Sequence, residues 1–208
     1  MKKTSAPCLY LLPWLVFATT GLSCQTVLAQ SSAFTGPSIY TATGYQYGSV
    51  KLSDVQVRGT SIGIRLPNYY SNGSFWLTGL NYTHVFKNNL SLGGQVEYYP
   101  ISQQLSISIS PGYALNDRFL GYLKLGWVNG SSTVDQGPGR QPYKVNLNGV
   151  VAGAGIKATI FKGVFGYAEF NYVQFERLKF TSWAGPFSIS GNASTKAYNI
   201  VIGLGYKF

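Results

Sequence analysis

Apolar and polar positions alternate with a period of two along most of the chain beyond about residue 37. In LSISISPGYAL, Leu105, Ile107, Ile109, Pro111, Tyr113 and Leu115 share one parity, while Ser106, Ser108, Ser110, Gly112 and Ala114 share the other. In LSLGGQVEYY, Leu90, Leu92, Val96 and Tyr98 oppose Ser91, Gly93, Gln95 and Glu97. The closing AYNIVIGLGYKF sets Tyr198, Ile200, Ile202, Leu204, Tyr206 and Phe208 against Ala197, Asn199, Val201, Gly203, Gly205 and Lys207. A period of two is that of a β-strand, whose successive side chains point to opposite faces. Eight such runs are predicted, at roughly 38–50, 75–86, 90–99, 105–115, 119–128, 145–160, 164–176 and 196–208. Nearly all reach the ~9–11 residues that a tilted membrane-spanning strand requires.

The polarity of these strands is inverted relative to a soluble sheet. Their bulky face is opposed by small or uncharged residues, not by the charged side chains that meet water. Composition agrees: 25 Gly, 16 Tyr and 12 Phe accompany only 11% charged residues. Large apolar groups outside and small or polar ones inside suit a narrow barrel in lipid, because eight strands leave little interior room. Connections alternate in length. Lys87–Asn89, Asn116–Arg118 and Lys162–Val164 are short, whereas 51–74, 129–144 and 177–195 are long, with Pro100–Gln104 a short exception among the latter. That asymmetry predicts periplasmic turns and outer loops. The fold expected is all-β, an eight-stranded antiparallel up-and-down transmembrane β-barrel. The partly alternating stretch Val55–Leu66 is assigned to the first outer loop, as a strand extension or hairpin, because it would otherwise make the strand count odd. Aromatic residues near strand ends, among them Trp76, Tyr82, Phe86, Phe119 and Trp127, suit the two membrane interfaces.

The N-terminus has another pattern. MKK is a positive start, Cys8–Gly21 is an apolar stretch too short for a spanning helix, and VLA at 27–29 is an A-x-A-like cleavage site. Residues 1–29 are therefore expected to be a removed signal peptide, 30–37 a short periplasmic segment and 38–208 the barrel. A lipoprotein signal ending at Cys24 is the alternative, which Gly21 and Leu22 fit poorly. Both cysteines, Cys8 and Cys24, fall in the removed part, which leaves no disulfide framework, thiolate ligand or Cys nucleophile. Losing Lys2 and Lys3 lowers the net charge from +10 to +8, a sign that suits anionic lipid headgroups or lipopolysaccharide.

Parity also predicts pairing. If Phe86 pairs with Leu90, Gly79 faces Glu97 and Asn81 faces Gln95; across the next two turns Ser110 faces Lys124 and Lys157 faces Glu169. Glu97, Lys124, Lys157 and Glu169 then all point into the lumen, where charges must find partners. A salt-bridge plug is expected, with Lys157 to Glu169 as its best-supported pair. The alternative is a narrow ion path, which Tyr122 and Tyr167 would crowd.

The strands YNIVIGLGYKF, ISPGYALNDRFLGYLKLGW and GVFGYAEFNYVQF resemble the small outer-membrane β-barrel proteins of Gram-negative bacteria, the opacity-protein and OmpX-type surface antigens. The resemblance covers about residues 34–208. It implies that Ile202, Leu204, Tyr206 and Phe208 form the terminal signal read by the barrel-assembly machinery. It also implies that any binding is carried by the outer loops, and it transfers no ligand residue.

Chemistry narrows the function further. The sole histidine, His84, lies at the turn end of its strand, so the His-Ser pair of the similarly sized lipid A deacylases has no base near the outer leaflet, and one histidine is too few for a metal site. The glycines of GVVAGAGIKA keep strand parity with no helix following, so they do not form a phosphate-cradling loop. Arg58, Arg65, Arg140, Lys144, Arg177 and Lys179, with aromatics such as Trp183, lie in or beside predicted outer loops and could bind lipopolysaccharide phosphates or a glycan. The expectation is a monomeric, non-enzymatic barrel of the bacterial outer membrane, without cofactor, metal or nucleic acid. Its work is adhesion, binding of host or envelope components, or envelope integrity. A narrow porin-like channel is the alternative, and a lipid A-modifying enzyme is less well supported.

Overall fold

A computed structural model describes residues 33–57, 67–134, 143–184 and 187–208. They form nine strands: β1 Gly36–Val57, β2 Tyr69–Val85, β3 Leu90–Tyr99, β4 Gln104–Ala114, β5 Phe119–Val134, β6 Tyr143–Phe161, β7 Val164–Phe175, β8 Leu178–Ala184 and β9 Phe187–Lys207. Among the described residues no helix is long and apolar enough to cross a membrane. All pairings are antiparallel, in the order β1-β2-β3-β4-β5-β6-β7-β9-β8, and β1 also pairs with β9. Eight strands, β1–β7 and β9, therefore close a ring that leaves no open row of backbone donors and acceptors. β8 pairs only along the outer part of β9, from Leu178↔Ala193 to Ala184↔Phe187. It continues the line of β7 after an irregularity at Glu176 and Arg177.

Burial follows the inverted polarity. β3 and β4 alternate strictly between exposed and buried through most of their length. Leu80 and Ile202 are 61% and 64% exposed on the outer face, whereas Glu97 and Lys124 are each 1% exposed inside. The barrel has hidden its charges and presented its leucines, which is stable where the outer solvent is hydrocarbon. The lumen also holds apolar layers. Phe34, Ala114, Leu120 and Tyr122 cluster at the end bearing the short turns. Tyr40, Leu77, Phe165, Tyr167 and Val201 form a second group, and Val128, Val151, Val173 and Phe175 a third toward the outer end.

Several strands run further than the hydrophobic alternation predicts. β1 continues seven residues past Val50, and its outer stretch pairs with β9, whose outer stretch in turn pairs with β8. β5 and β6 stay paired out to Val134↔Tyr143. The described parts of the regions expected as long loops are thus largely β-ladder, for a physical reason. A hydrogen-bonded ladder needs only paired backbones, while alternation needs two different solvents on its two faces. Of the stretch Val55–Leu66, residues 55–57 extend β1, and 58–66 lie outside the described residues.

The short turns set the register inside. Gly79↔Glu97 and Asn81↔Gln95 are paired, and the β4–β5 ladder passes through Ile109↔Leu125, which sets Ser110 opposite Lys124. The Lys157–Glu169 pairing is corrected. Phe161 pairs with Val164 around a two-residue turn in which Gly163 has φ +79°, and the next pair is Thr159↔Phe165. Ile160 is the extra residue of a β-bulge. Lys157 therefore stands opposite Tyr167, and Glu169 opposite Gly155. The combined shift is two residues, so parity survives and the partner changes.

Candidate functional site

The lumen closes around one lysine. Lys124 of β5 places Nζ 2.7 Å from Glu97 Oε1 of β3 and 3.0 Å from Glu169 Oε2 of β7. The tyrosine hydroxyls of Tyr40 and Tyr99 donate to Glu97 Oε1 at 3.0 Å and Oε2 at 3.2 Å. Tyr122 donates to Glu169 Oε1 at 2.7 Å, and Asn171 Nδ2 to Glu169 Oε2 at 3.1 Å. Each of the four carboxylate oxygens thus has at least one donor. A buried ion cluster is tolerable on that condition, because charges taken from water cost several kcal/mol each unless fully partnered. The strand glycines make room: an added Cβ at Gly79 would strike the Tyr40 ring, and one at Gly155 the Tyr122 ring.

Lys157 shares the lumen but not the cluster. It is 7% exposed, donates to Asn81 Oδ1 at 3.2 Å, and lies 4.9 Å from the Phe165 ring centroid and 5.8 Å from that of Tyr122. Its contacts are an amide and two π-faces, not a carboxylate.

At the outer rim, β1, β2 and the β3–β4 connection enclose a groove of about 180 Å³. Gln46, Asn72, Ser74, Ser102 and Gln104 line it with amides and hydroxyls, beside Phe75, Tyr99 and Ile101. The Phe75 and Tyr99 rings lie 5.6 Å apart at 41°. Tyr99 faces two ways, since its ring lines the groove and its hydroxyl holds Glu97. Pattern reading missed this groove, because its uncharged residues come from three separate segments.

The remaining sequence candidates are dispersed. Arg58, Arg65 and Arg140 lie outside the described residues. Lys144 is exposed on β6, Lys179 is exposed on β8, and Trp183 belongs to β8, so all three stand on strands and not in open loops; Arg177 is exposed between β7 and β8. Ile202, Leu204, Tyr206 and Phe208 share the outward face, with the Tyr206 and Phe208 rings edge to face at 5.4 Å. His84 is exposed on the outer face, its ring 4.7 Å from that of Phe86. Among the described residues no cluster of His, Cys, Asp or Glu could hold a metal. The network partners Tyr40, Tyr99, Asn81 and Asn171 were also missed. Tyr40 was findable, since it shares inward parity with Ser38 and Ala42 in SIYTA.

Comparison with curated proteins returns no match. Among solved structures, Ail, the attachment invasion locus protein of Yersinia pestis in complex with the heparin analogue sucrose octasulfate, is similar at 16% identity and TM-score 0.50, over 84% of this chain and 99% of that one. The outer membrane protein OprG of Pseudomonas aeruginosa is similar at 14% identity and TM-score 0.50, over 84% and 96%. The family model described as outer membrane protein beta-barrel domain matches residues 15–208. With this match across nearly its whole length and a closed ring of inverted-polarity strands, the chain belongs to the outer-membrane β-barrel protein family.

Proposed function

We propose that this protein is a non-conducting, non-enzymatic surface barrel that binds saccharide at its outer rim. The groove over Phe75 and Tyr99 carries this reading. Amide and hydroxyl side chains beside an aromatic face, with no charged residue among them, match the hydroxyl edges and apolar ring faces of a sugar, and about 180 Å³ suits one sugar unit. The sugar could belong to lipopolysaccharide of the same membrane or to a host glycan. Ail was solved with a sulfated saccharide, which makes such compounds sensible first probes here. Lys144, Arg177 and Lys179 would then hold phosphate or sulfate groups.

The reading includes a cleaved leader at residues 1–29, assembly through the terminal Ile202, Leu204, Tyr206 and Phe208, and a monomeric state. Its test is saccharide binding by protein freed of lipopolysaccharide, using neutral oligosaccharides, lipopolysaccharide and sucrose octasulfate in separate arms. Phe75→Ala and Gln104→Ala should each weaken neutral-sugar binding at least tenfold while leaving the barrel folded. Unchanged binding would reject the groove. The lumen cluster supports a plug over the channel reading, and a steady planar-bilayer current would reverse that preference.

A further inference from the structure

The lumen contains a second site, at the turn end, that is built from donors. A cavity of about 10 Å³ lies beneath Phe34, lined by Ser38, Lys157, Thr159, Phe165 and Lys207 among others. That is room for one occupant close to the size of a water. The polar groups around it share few acceptors: Ser38 Oγ also reaches the Asn81 backbone carbonyl at 3.3 Å, and the rest converge on one amide oxygen. Asn81 Oδ1 accepts from Lys157 Nζ at 3.2 Å, from Thr83 Oγ1 at 2.8 Å and from Ser38 Oγ at 3.4 Å. An amide oxygen has two lone pairs, and an ammonium has three N–H groups to place. Thr159 Oγ1 is buried without a protein partner, and Lys207, half-buried at the rim, makes no ion pair among the described residues.

Charge points the same way. The whole chain has six acidic residues. Glu97 and Glu169 are taken by Lys124. Asp54 and Glu176 are exposed toward the outer end, and Asp135 lies outside the described residues. Asp117 is exposed in the β4–β5 turn, and the C-terminal carboxylate makes no ion pair. The inward positions from the ion cluster to the turn end therefore carry buried Lys124 and Lys157 and half-buried Lys207 against two carboxylates, an excess of one positive charge.

We infer that this cavity binds one small monovalent anion of the halide class, held by Lys157 and Lys207 with the hydroxyls of Ser38 and Thr159. The space admits no phosphate, sulfate or carboxylate, and a halide, larger than a water, fits once the flexible Lys157 and Lys207 side chains draw back around it. The anion supplies the acceptor that the surrounding donors lack, balances the extra charge, and seals the turn end beneath Phe34. The site stands whatever the outer groove binds.

Bromide is the probe. Crystals of the folded barrel grown in sodium bromide should give an anomalous peak within contact distance of Lys157 Nζ, and the peak should be lost in Lys157→Met. In detergent solution, chloride-35 NMR lines should broaden with the wild type and with Lys162→Gln, an exposed lysine of the same hairpin. They should return to baseline with Lys157→Met. If Lys157→Met does not fold, Thr159→Val keeps the charge, and it should lower bromide occupancy at the same position. No bromide peak in the wild type, or a peak unchanged in either variant, overturns the inference.

Discussion

Strands β1 and β9 form one ladder from Ser38↔Lys207 to Val57↔Ile189, yet its two ends are built by different rules. Toward the membrane, inward Tyr40, Ala42, Asn199 and Val201 are buried, and their neighbours Thr41, Ile200 and Ile202 are exposed. Beyond Val50 the contrast weakens: Leu52, Ser53, Ala193 and Ser194 are all half-buried, and Val55 alone of the β1 extension is buried, between exposed Asp54 and Gln56. The backbone pairing is the same; the surroundings differ. Inside the barrel each strand separates hydrocarbon from a narrow lumen that holds the polar side chains. In the extension it separates water from water, so packing constrains only isolated positions such as Val55 and most residues become available for recognition. The irregular register between Ser53 and Gln56, where Asp54 has φ +55°, lies in the freed part.

If this contrast is right, substitutions in the lumen should cost far more than those in the extension. The largest loss is expected for Lys124→Met, which strands two buried carboxylates and should destabilise the barrel by about 3–5 kcal/mol. Unfolding in urea, followed by heat-modifiable gel mobility, would measure it. Adding Glu97→Gln and Glu169→Gln should restore most of the loss. Failure to restore would mean that the cost is packing and not charge.

On the lipid face, Ile107→Arg should cost about 2–4 kcal/mol near the bilayer midplane. A harmless outcome in lipid vesicles would undermine the assignment of that face to hydrocarbon. Inside, Gly79→Leu forces the Tyr40 ring off its seat and away from Glu97. About 1–3 kcal/mol is expected, of the kind seen when a packed core is overfilled. The smallest effect belongs to the extension: Thr181→Arg on exposed β8 should change unfolding by no more than about 0.5 kcal/mol. A loss as large as that of Gly79→Leu would show that the extension is part of the folding core and erase the contrast.

How much was legible follows the same divide. Where two solvents differ, alternation recorded them, and it located the inward set Glu97, Lys124, Lys157 and Glu169 as well as the outward Ile202, Leu204 and Tyr206. Where they did not differ, as in 51–54, 129–134, 178–184 and 187–195, polar strands read as loops, whereas the partial alternation from Val55 gave the strand extension that 55–57 form. The bulge at Ile160 was invisible for another reason: the turn and the bulge together shift the register by two, which parity cannot detect. The outer groove left no trace, because its residues meet only across strands.

Taken alone, the sequence determined that this chain is a barrel for lipid, which way each strand faces, and that Glu97, Lys124, Lys157 and Glu169 would point inside. Those properties depend on period and solvent, and both are written residue by residue. Only the tertiary structure decided that Lys124 holds both carboxylates, that Lys157 is left among donors, and that Phe75 and Tyr99 share a groove. Such facts depend on strand stagger and ring closure, which bring together residues such as Asn81 and Lys157, 76 positions apart. No local pattern carries that information.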